Sequence, residues 1–373
     1  MGNTPSRSWS AARTAVRGAA IGLLLFAAMA SALAKTPKAG TPAPAHGTAV
    51  SSISGAGTPF PYPLYLQWAG AYQKEAGVGL TYRSIGSGAG VEQLLARTVT
   101  FAASDMPLSG AELSKEDLAQ FPAVFGGIVA VVNLDGVAPG ELTLDGPTVA
   151  KIFLGEITKW DDPAITALNP SLKLPSADIA TIHRGDGSGT TLFWTDYLSK
   201  VSPDWKTRVG SGTYVEWPVG YSAKGSEGVS GPLLQTKGAI TYMDYGYARL
   251  NKLAYVKLVN KHGETVAPNR EAIQAAAANA DWASVPGFGL LLTDQPGAGS
   301  WPIVHTTFVV MRKNAPKASE AAAALRFFNW GYAKGGRLTE RLDYVRLPPN
   351  VVKMVKRSWS EITAGGKPVF SEH

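Results

Sequence analysis

Short apolar runs alternate with amphipathic segments along the chain, and this alternation predicts an α/β protein. Four apolar runs rich in β-branched residues are typical of buried strands: residues 127–133, 179–183, 239–242 and 306–311. Apolar positions at helical spacing predict helices around residues 64–72, 91–95, 194–198 and 318–330. The first three of these helices each follow a cluster of Gly, Ser, Thr or Pro residues, whereas the alanine-rich fourth helix does not.

The N-terminal segment predicts an exported protein. Arg7, Arg13 and Arg17 precede an apolar run over residues 19–29, and small residues up to Ala34 offer a cleavage site. The alternative, a transmembrane anchor, needs about 20 apolar residues, and this run is shorter. We therefore expect a signal peptide over residues 1–34, cleaved after Ala34, and a flexible Ala/Pro/Gly-rich tether over residues 35–50.

Composition narrows the class of protein. Cleavage after Ala34 removes three arginines and no acidic residue, which lowers the net charge from +7 to +4, too small an excess to indicate nucleic-acid binding. The chain has no cysteine, which excludes disulfides and thiolate metal sites. The core must therefore stabilise the fold alone, and we expect a soluble periplasmic monomer that needs no cofactor.

The three polar clusters, GAGTPFP (55–61), GSGAG (86–90) and GDGSGTT (185–191), stand directly before predicted helices. A helix N-terminus presents unpaired amide N–H groups and a partial positive charge, and glycines let a ligand approach the backbone closely. Together the clusters predict an oxyanion site. For any single cluster, ordinary helix capping remains the alternative, because the same residue types cap helices.

Arg184 strengthens the prediction of an anion site, because it lies at the end of a predicted buried strand, where ligands bind in α/β sheets. Its guanidinium can bind an oxyanion with two hydrogen bonds while Asp186 orients it. The alternative is a surface ion pair of little energetic consequence.

A further carboxylate, Asp105 in FAASDMPLS, follows a small-residue apolar segment, and we expect it to be partly buried. An Asx turn before Pro107 is the alternative.

Motifs for catalysis are absent from the sequence. Neither Ser87 nor Ser188 fits the G-x-S-x-G pattern of hydrolases, and no P-loop or H-E-x-x-H motif occurs. The histidines show no metal-ligand spacing and are interpreted as surface or packing residues: His46, His183, His262, His305 and His373. The sequence therefore predicts a binding protein with no metal and no enzymatic activity.

At these clusters the chain resembles the periplasmic phosphate-binding proteins of bacterial high-affinity phosphate ABC transporters. The similarity extends from about residue 54 to about residue 359. Beyond the three clusters, it includes the segments LYLQWAGAYQKEAG, FAASDMPLS, LGEITKWDDPAI, NPSLKLP, VEWPVGYSAKGSEGV, KGAITYMDYGYA and WPIVHTTFVV.

The resemblance implies a two-lobed type II periplasmic-binding-protein fold, with mixed sheets flanked by helices and a double-crossover hinge. Lobe 1 is then formed by residues 51–129 and 306–373, and lobe 2 by residues 130–305. Carried over from the family, the phosphate-binding residues are Phe60 through its backbone N–H, Ser87, Asp105, Arg184, Ser188, Gly189 and Thr190, with Asp186 orienting Arg184.

One position departs from the family pattern. The residue before Phe60 is usually Thr or Ser in the family and is Pro59 here, so a hydroxyl donor is missing and Thr58 becomes a further candidate. The expected function is periplasmic capture of inorganic phosphate and its delivery to the membrane permease subunits of a phosphate ABC transporter. The alternatives are a receptor for another tetrahedral oxyanion and a secreted phosphatase.

Overall fold

The computed structural model describes residues 50–371. The predicted signal peptide (1–34) and all but the last residue of the predicted tether (35–50) lie outside the described residues. Within the described part of the chain, every helix is too short or too polar to traverse a lipid bilayer.

Strands and helices alternate through most of the chain. The strands are β1 (Ser52–Gly57), β2 (Gly79–Ser84), β3 (Phe101–Ser104), β4 (Leu118–Val132), β5 (Thr143–Leu144), β6 (Ala180–Arg184), β7 (Tyr221–Ala223), β8 (Ala239–Asp244), β9 (Ala254–Tyr255), β10 (Lys257–Val259), β11 (Thr265–Val266), β12 (Leu292–Thr293), β13 (Ile303–Arg312), β14 (Thr363–Ala364) and β15 (Lys367–Pro368). The α-helices are α1 (Tyr62–Ala76), α2 (Ser87–Leu95), α3 (Gly110–Lys115), α4 (Gly146–Leu154), α5 (Pro163–Thr166), α6 (Gly189–Val201), α7 (Pro203–Arg208), α8 (Gly225–Gln235), α9 (Tyr245–Leu250), α10 (Arg270–Asn279), α11 (Ala318–Ala333), α12 (Gly336–Arg341) and α13 (Pro349–Ser358).

The main sheet is mixed and has the strand order β2-β1-β3-β13-β4-β8-β6-β7. On one side, β1 is parallel to β2 and β3. On the other side, β6 is parallel to β7 and β8. The long antiparallel strands β4 and β13 lie between these two parallel groups. The mixed α/β architecture and two-lobed fold class expected from the resemblance are confirmed.

Strand β4 runs through both parts of the sheet. It pairs with β13 from Leu118 to Gly127, and with β8 from Ile128 to Val132. The change of partner therefore falls between Gly127 and Ile128. The assignment of residues 51–129 with 306–373 to one lobe, and of 130–305 to the other, stays a prediction.

The predicted elements are confirmed in type and differ in their bounds. The predicted strand 127–133 is only the C-terminal part of β4, because Pro122 and Gln120 interrupt the apolar pattern that marks a buried strand. Pro122 lies beside a register shift, where Ala123 has no partner on β13. Proline has no N–H to give to a strand neighbour, so an irregular position tolerates it.

Helices α1, α2 and α6 each begin within five residues of the end of a strand. They follow β1, β2 and β6. Three successive antiparallel pairings, β3 with β13, β13 with β4 and β4 with β8, make β6 run in the direction opposite to β1 and β2. Apolar positions face the core in α1, where Leu64, Tyr65, Trp68 and Tyr72 are buried. The spacing of these residues is the helical periodicity that predicts α1 from the sequence.

We predict that Gly90→Ala destabilises the fold by about 1–3 kcal/mol, the scale of overpacking in a core. Helix α2 packs so closely on β1 that a Cβ atom at position 90 lies 2.5 Å from Gly57 Cα and 2.6 Å from the Ala56 carbonyl oxygen. Gly88→Ala in the same helix is the matched control, because its Cβ contacts nothing within 4 Å. Chemical denaturation of both variants measures the effect, and equal stabilities would contradict this packing.

Candidate functional site

The carboxyl ends of the parallel strands border a cleft of about 720 Å³. All the site residues predicted from the sequence line it: Thr58, Phe60, Ser87, Asp105, Arg184, Asp186, Ser188, Gly189 and Thr190. Some of them follow β1, β2 and β3; of the others, Arg184 is the last residue of β6 and the rest follow that strand. The fold thus brings the three polar clusters to one place although more than 100 residues separate the first from the last.

Helix N-termini from both sides face this cleft. The hydroxyl of Ser188 caps α6 by accepting the Thr191 N–H at 3.4 Å, so Ser188 is both a cap and a cleft residue. The first amides of a helix have no intrahelical acceptor, which leaves the Gly189 and Thr190 N–H groups able to donate to a ligand. At the starts of α1 and α2, the described residues include no side-chain cap.

Arg184 and Asp186 form a two-point ion pair at the end of β6. Arg184 Nε and Nη2 donate to the two oxygens of Asp186 at 2.7 and 2.5 Å, and the Gly225 N–H donates to Asp186 at 3.2 Å. The hydrogen bond from Arg184 lowers the pKa of Asp186 despite partial burial. Burial lowers the pKa of Arg184, but the hydrogen bond to Asp186 and the charges of Asp186 and Asp244 together outweigh that effect and raise the pKa. The pair therefore keeps a fixed cation at the cleft.

Tyr242 fixes the backbone of Arg184 from below. The Arg184 N–H donates to the Tyr242 hydroxyl at 3.2 Å, and the same hydroxyl lies 2.7 Å from the hydroxyl of Thr191 in α6. Strand β6 and helix α6 are thereby held at a constant separation beneath the cleft. The ring of Tyr242 stacks on Trp194, which keeps the phenol in place.

Asp105 is almost fully buried, with 4% of its surface exposed, and is more enclosed than the sequence predicts. One carboxylate oxygen accepts from the Thr307 hydroxyl at 2.8 Å, and the other accepts from the Thr58 hydroxyl. The alternative Asx turn does not form, because Ser104 makes the local turn with Met106 instead. Asp105 is thus held as a hydrogen-bond acceptor at the wall of the cleft.

In the first cluster, where Pro59 offers no hydroxyl, Thr58 forms hydrogen bonds with both Asp105 and Phe60. Because the Thr58 hydroxyl donates to Asp105, its hydrogen is directed to that carboxylate and its oxygen accepts from the Phe60 N–H at 3.3 Å. The Phe60 carbonyl in turn accepts from the Tyr344 hydroxyl at 2.5 Å. Thr58 therefore supports Asp105, and in this conformation the Phe60 amide is turned to Thr58.

Gly189 lies against Asp105 across the cleft. A Cβ atom at position 189 would stand 2.7 Å from Asp105 Cβ and 2.8 Å from one of its carboxylate oxygens. Since Gly189 follows β6 and Asp105 follows β3, the two sides of the cleft touch at this point. Glycine is required there by the close approach rather than by its backbone angles.

Sequence reasoning missed two charged residues under the cleft, His305 on β13 and Asp244 at the end of β8. The interpretation of His305 as a surface or packing residue is incomplete, because its imidazole lies between two carboxylates. Its Nδ1 atom is 3.0 Å from Asp244 Oδ1, and its Nε2 atom is 3.2 Å from Asp105 Oδ1. The second contact lacks hydrogen-bond geometry and is an ion pair. No local motif marks these pairs, since their members are 61 and 200 residues apart.

These carboxylates control the charge of His305. Burial alone lowers the pKa of an imidazole, but the charge of Asp105 and the hydrogen bond and charge of Asp244 outweigh it. The pKa of His305 is raised to about 10, so the ring is an imidazolium at neutral pH.

Between residues 50 and 371, no three His, Asp or Glu side chains are arranged to hold a metal ion. The groups present instead offer hydrogen-bond donors, a fixed guanidinium and a carboxylate acceptor, a combination suited to a protonated oxyanion.

Comparison with known proteins identifies relatives over most of the chain. The model of the PBP superfamily domain matches residues 42–334. Phosphate-binding protein PstS of Xylella fastidiosa is 47% identical over 320 residues, which cover 86% of this chain and 88% of the relative. Phosphate-binding protein PstS of Haemophilus influenzae is 47% identical over 309 residues, which cover 83% and 92%.

A solved structure shares the fold at lower sequence identity. It is a high-affinity periplasmic phosphate-binding protein, PfluDING, with bound phosphate. The two chains align with a TM-score of 0.64 and 22% identity over 85% of this chain and 97% of the other.

We predict that the charge on His305 makes stability fall as the pH rises. A group whose pKa is raised from 6.5 to about 10 on folding stabilises fully below pH 6.5 and loses this contribution as pH rises to about 10. The expected slope is at most about 1.4 kcal/mol per pH unit. Urea denaturation at several pH values should show this slope in the parent and a smaller one in His305→Gln. Identical slopes would contradict the charge.

Proposed function

Because the chain belongs to the PBP superfamily and to its phosphate-binding proteins, we propose that it captures inorganic phosphate in the cleft. Its role is to deliver the anion to a phosphate ABC transporter for import. The relatives carry the assignment to phosphate, and the geometry supplies a physical reason for it.

The proposal rests on one observation: the Asp105 carboxylate, a hydrogen-bond acceptor, lines the same cleft as several hydrogen-bond donors. Arg184, the Ser188 hydroxyl and the first amides of α6 line one side of the cleft. Asp105 lines the other side and touches Gly189. Phosphate carries at least one proton near neutral pH, whereas sulfate carries none, so a carboxylate accepts a hydrogen bond from phosphate and repels sulfate.

The proposed contacts divide into two kinds. The donors are Ser87, Arg184, Ser188, Gly189, Thr190 and the Phe60 amide, once that amide turns from Thr58 to the ligand. Asp105 is the acceptor. Asp186 orients the guanidinium through its two hydrogen bonds, and Thr58 holds the Asp105 carboxylate.

We further propose that the mature protein is a periplasmic monomer that begins after Ala34. Its partners are phosphate and the permease subunits of the transporter, and it binds no nucleic acid. In this proposal the protein performs no catalysis, which agrees with the lack of a G-x-S-x-G pattern at Ser87 and Ser188. Incubation with a phosphate monoester tests the last point, and release of phosphate above background would refute it.

Anion selectivity tests the function. Calorimetric titration of the cleaved protein should show binding of phosphate and of arsenate, which is protonated and shaped like phosphate. Sulfate should bind at least about a hundredfold more weakly, since it leaves the Asp105 acceptor unpaired against lone pairs.

Asp105→Asn is the control for that experiment, because the amide keeps the size of the side chain and removes its charge. It should weaken phosphate binding and narrow the gap between phosphate and sulfate. Sulfate binding within tenfold of phosphate in the parent would overturn both the role of Asp105 and the choice of ligand.

Closure of the cleft at Gly189 gives a second test. Gly189→Ala places a Cβ atom against Asp105 and should weaken phosphate binding at least about tenfold, because the two sides can no longer meet around the anion. Gly187→Ala is the matched control, since a Cβ there contacts nothing within 4 Å. Equal phosphate affinities in the two variants would show that the Gly189–Asp105 contact is not needed.

A further inference from the structure

His305 lies at the centre of the charged groups beneath the cleft, and 1% of its surface is exposed. It stands on β13 opposite Gly126 of β4, the strand that runs through both parts of the sheet. Its ring stacks on Phe60, with centroids 3.9 Å apart, and lies 5.0 Å from the ring of Phe193. The imidazole is therefore packed against aromatic side chains from opposite sides of the cleft.

The two carboxylates that pair with His305 come from different parts of the sheet. Asp105 follows β3, whereas Asp244 ends β8. Each carboxylate also meets a predicted phosphate-binding residue. Asp105 touches Gly189, and Asp244 accepts from the Thr190 hydroxyl at 3.4 Å. His305 consequently connects two walls of the binding site through charge.

The balance of charge beneath the cleft depends on this imidazolium. The carboxylates of Asp105, Asp186 and Asp244 stand against the cations Arg184 and His305. Arg184 is already held by two hydrogen bonds to Asp186. Without the charge of His305, Asp105 and Asp244 would present uncompensated negative charge to an incoming anion.

The other titratable groups around His305 do not compete for this role. Burial raises the pKa of the Tyr82 and Tyr344 phenols, which keeps both neutral in the pH range of interest. Glu227, Asp343 and Arg341 also line the cleft. Asp343 pairs with Arg249 at 2.6 Å, and Glu227 and Arg341 are solvent-exposed.

We propose that His305 is a positioning residue for phosphate binding: its imidazolium holds Asp105 and Asp244 in place and offsets their charge, so that a dianion can approach Asp105. His305 borders the cleft, but its Nε2 atom is buried and makes no hydrogen bond; in this proposal the ring acts through the two carboxylates rather than on the ligand. This inference rests on the proposed function and explains how an acceptor carboxylate is tolerated in an anion site.

The test compares phosphate dissociation constants of the parent and His305→Gln as a function of pH. At about pH 7, the variant should bind phosphate at least about tenfold more weakly, since a buried charge has lost its partner. Taking the ratio of the two dissociation constants removes the effect of phosphate ionisation, because that effect is the same for both proteins. As the pH rises through about 10, the parent imidazole also loses its charge, and the ratio should fall towards one.

The pH profile separates charge from packing. A ratio that stays constant up to about pH 10.5 would show that only the shape of the side chain matters, and would overturn the proposal. A ratio within twofold at about pH 7 would also overturn it. His262→Gln is the matched control, because His262 is solvent-exposed. The ratio of its phosphate dissociation constant to that of the parent should be one at every pH.

One further measurement uses the parent protein alone. Nitrogen-15 NMR of the histidine rings in the parent should show one imidazole that stays doubly protonated at about pH 8, independently of whether His305→Gln folds. If every ring is neutral there, the proposal fails. A parent that binds no phosphate refutes the proposed function, whereas phosphate binding with a constant ratio refutes only the role of His305.

Discussion

Buried charges at the base of the cleft are stable only because each has a partner of opposite sign. A lone carboxylate as enclosed as Asp105 would carry a desolvation penalty of several kcal/mol. The imidazolium of His305 and the hydroxyls of Thr58 and Thr307 offset that penalty. The central position of β13 is what brings these groups together, since His305 and Thr307 lie two residues apart on it.

Local patterns in the sequence predicted the parts of the site that are local in the structure. The clusters before α1, α2 and α6 are visible because strand, loop and helix follow one another in the chain. Arg184 and Asp186 are visible for the same reason, since their ion pair spans two residues. The helical and strand periodicities were equally local, and the resulting elements agree with the structure in type.

The remaining parts depend on contacts between distant segments. Asp105 meets Thr307 across 202 positions, and His305 meets Asp244 across 61. Nothing near His305 in the sequence distinguishes it from a histidine that merely fills space. Strand β4 was shortened in the prediction for a related reason, because Pro122 is acceptable only where the register with β13 shifts. Both the contacts of His305 and the length of β4 depend on the pairing between strands, which cannot be read from a single sequence.

The continuity of β4 has a consequence for the thermodynamics of ligand capture. Any relative movement of the two parts of the sheet must bend a hydrogen-bonded strand, since β4 pairs with β13 over its first part and with β8 over its last. Such a connection has few soft degrees of freedom, so ordering it around a ligand costs little conformational entropy. The free energy of binding the anion then includes the elastic cost of bending one strand.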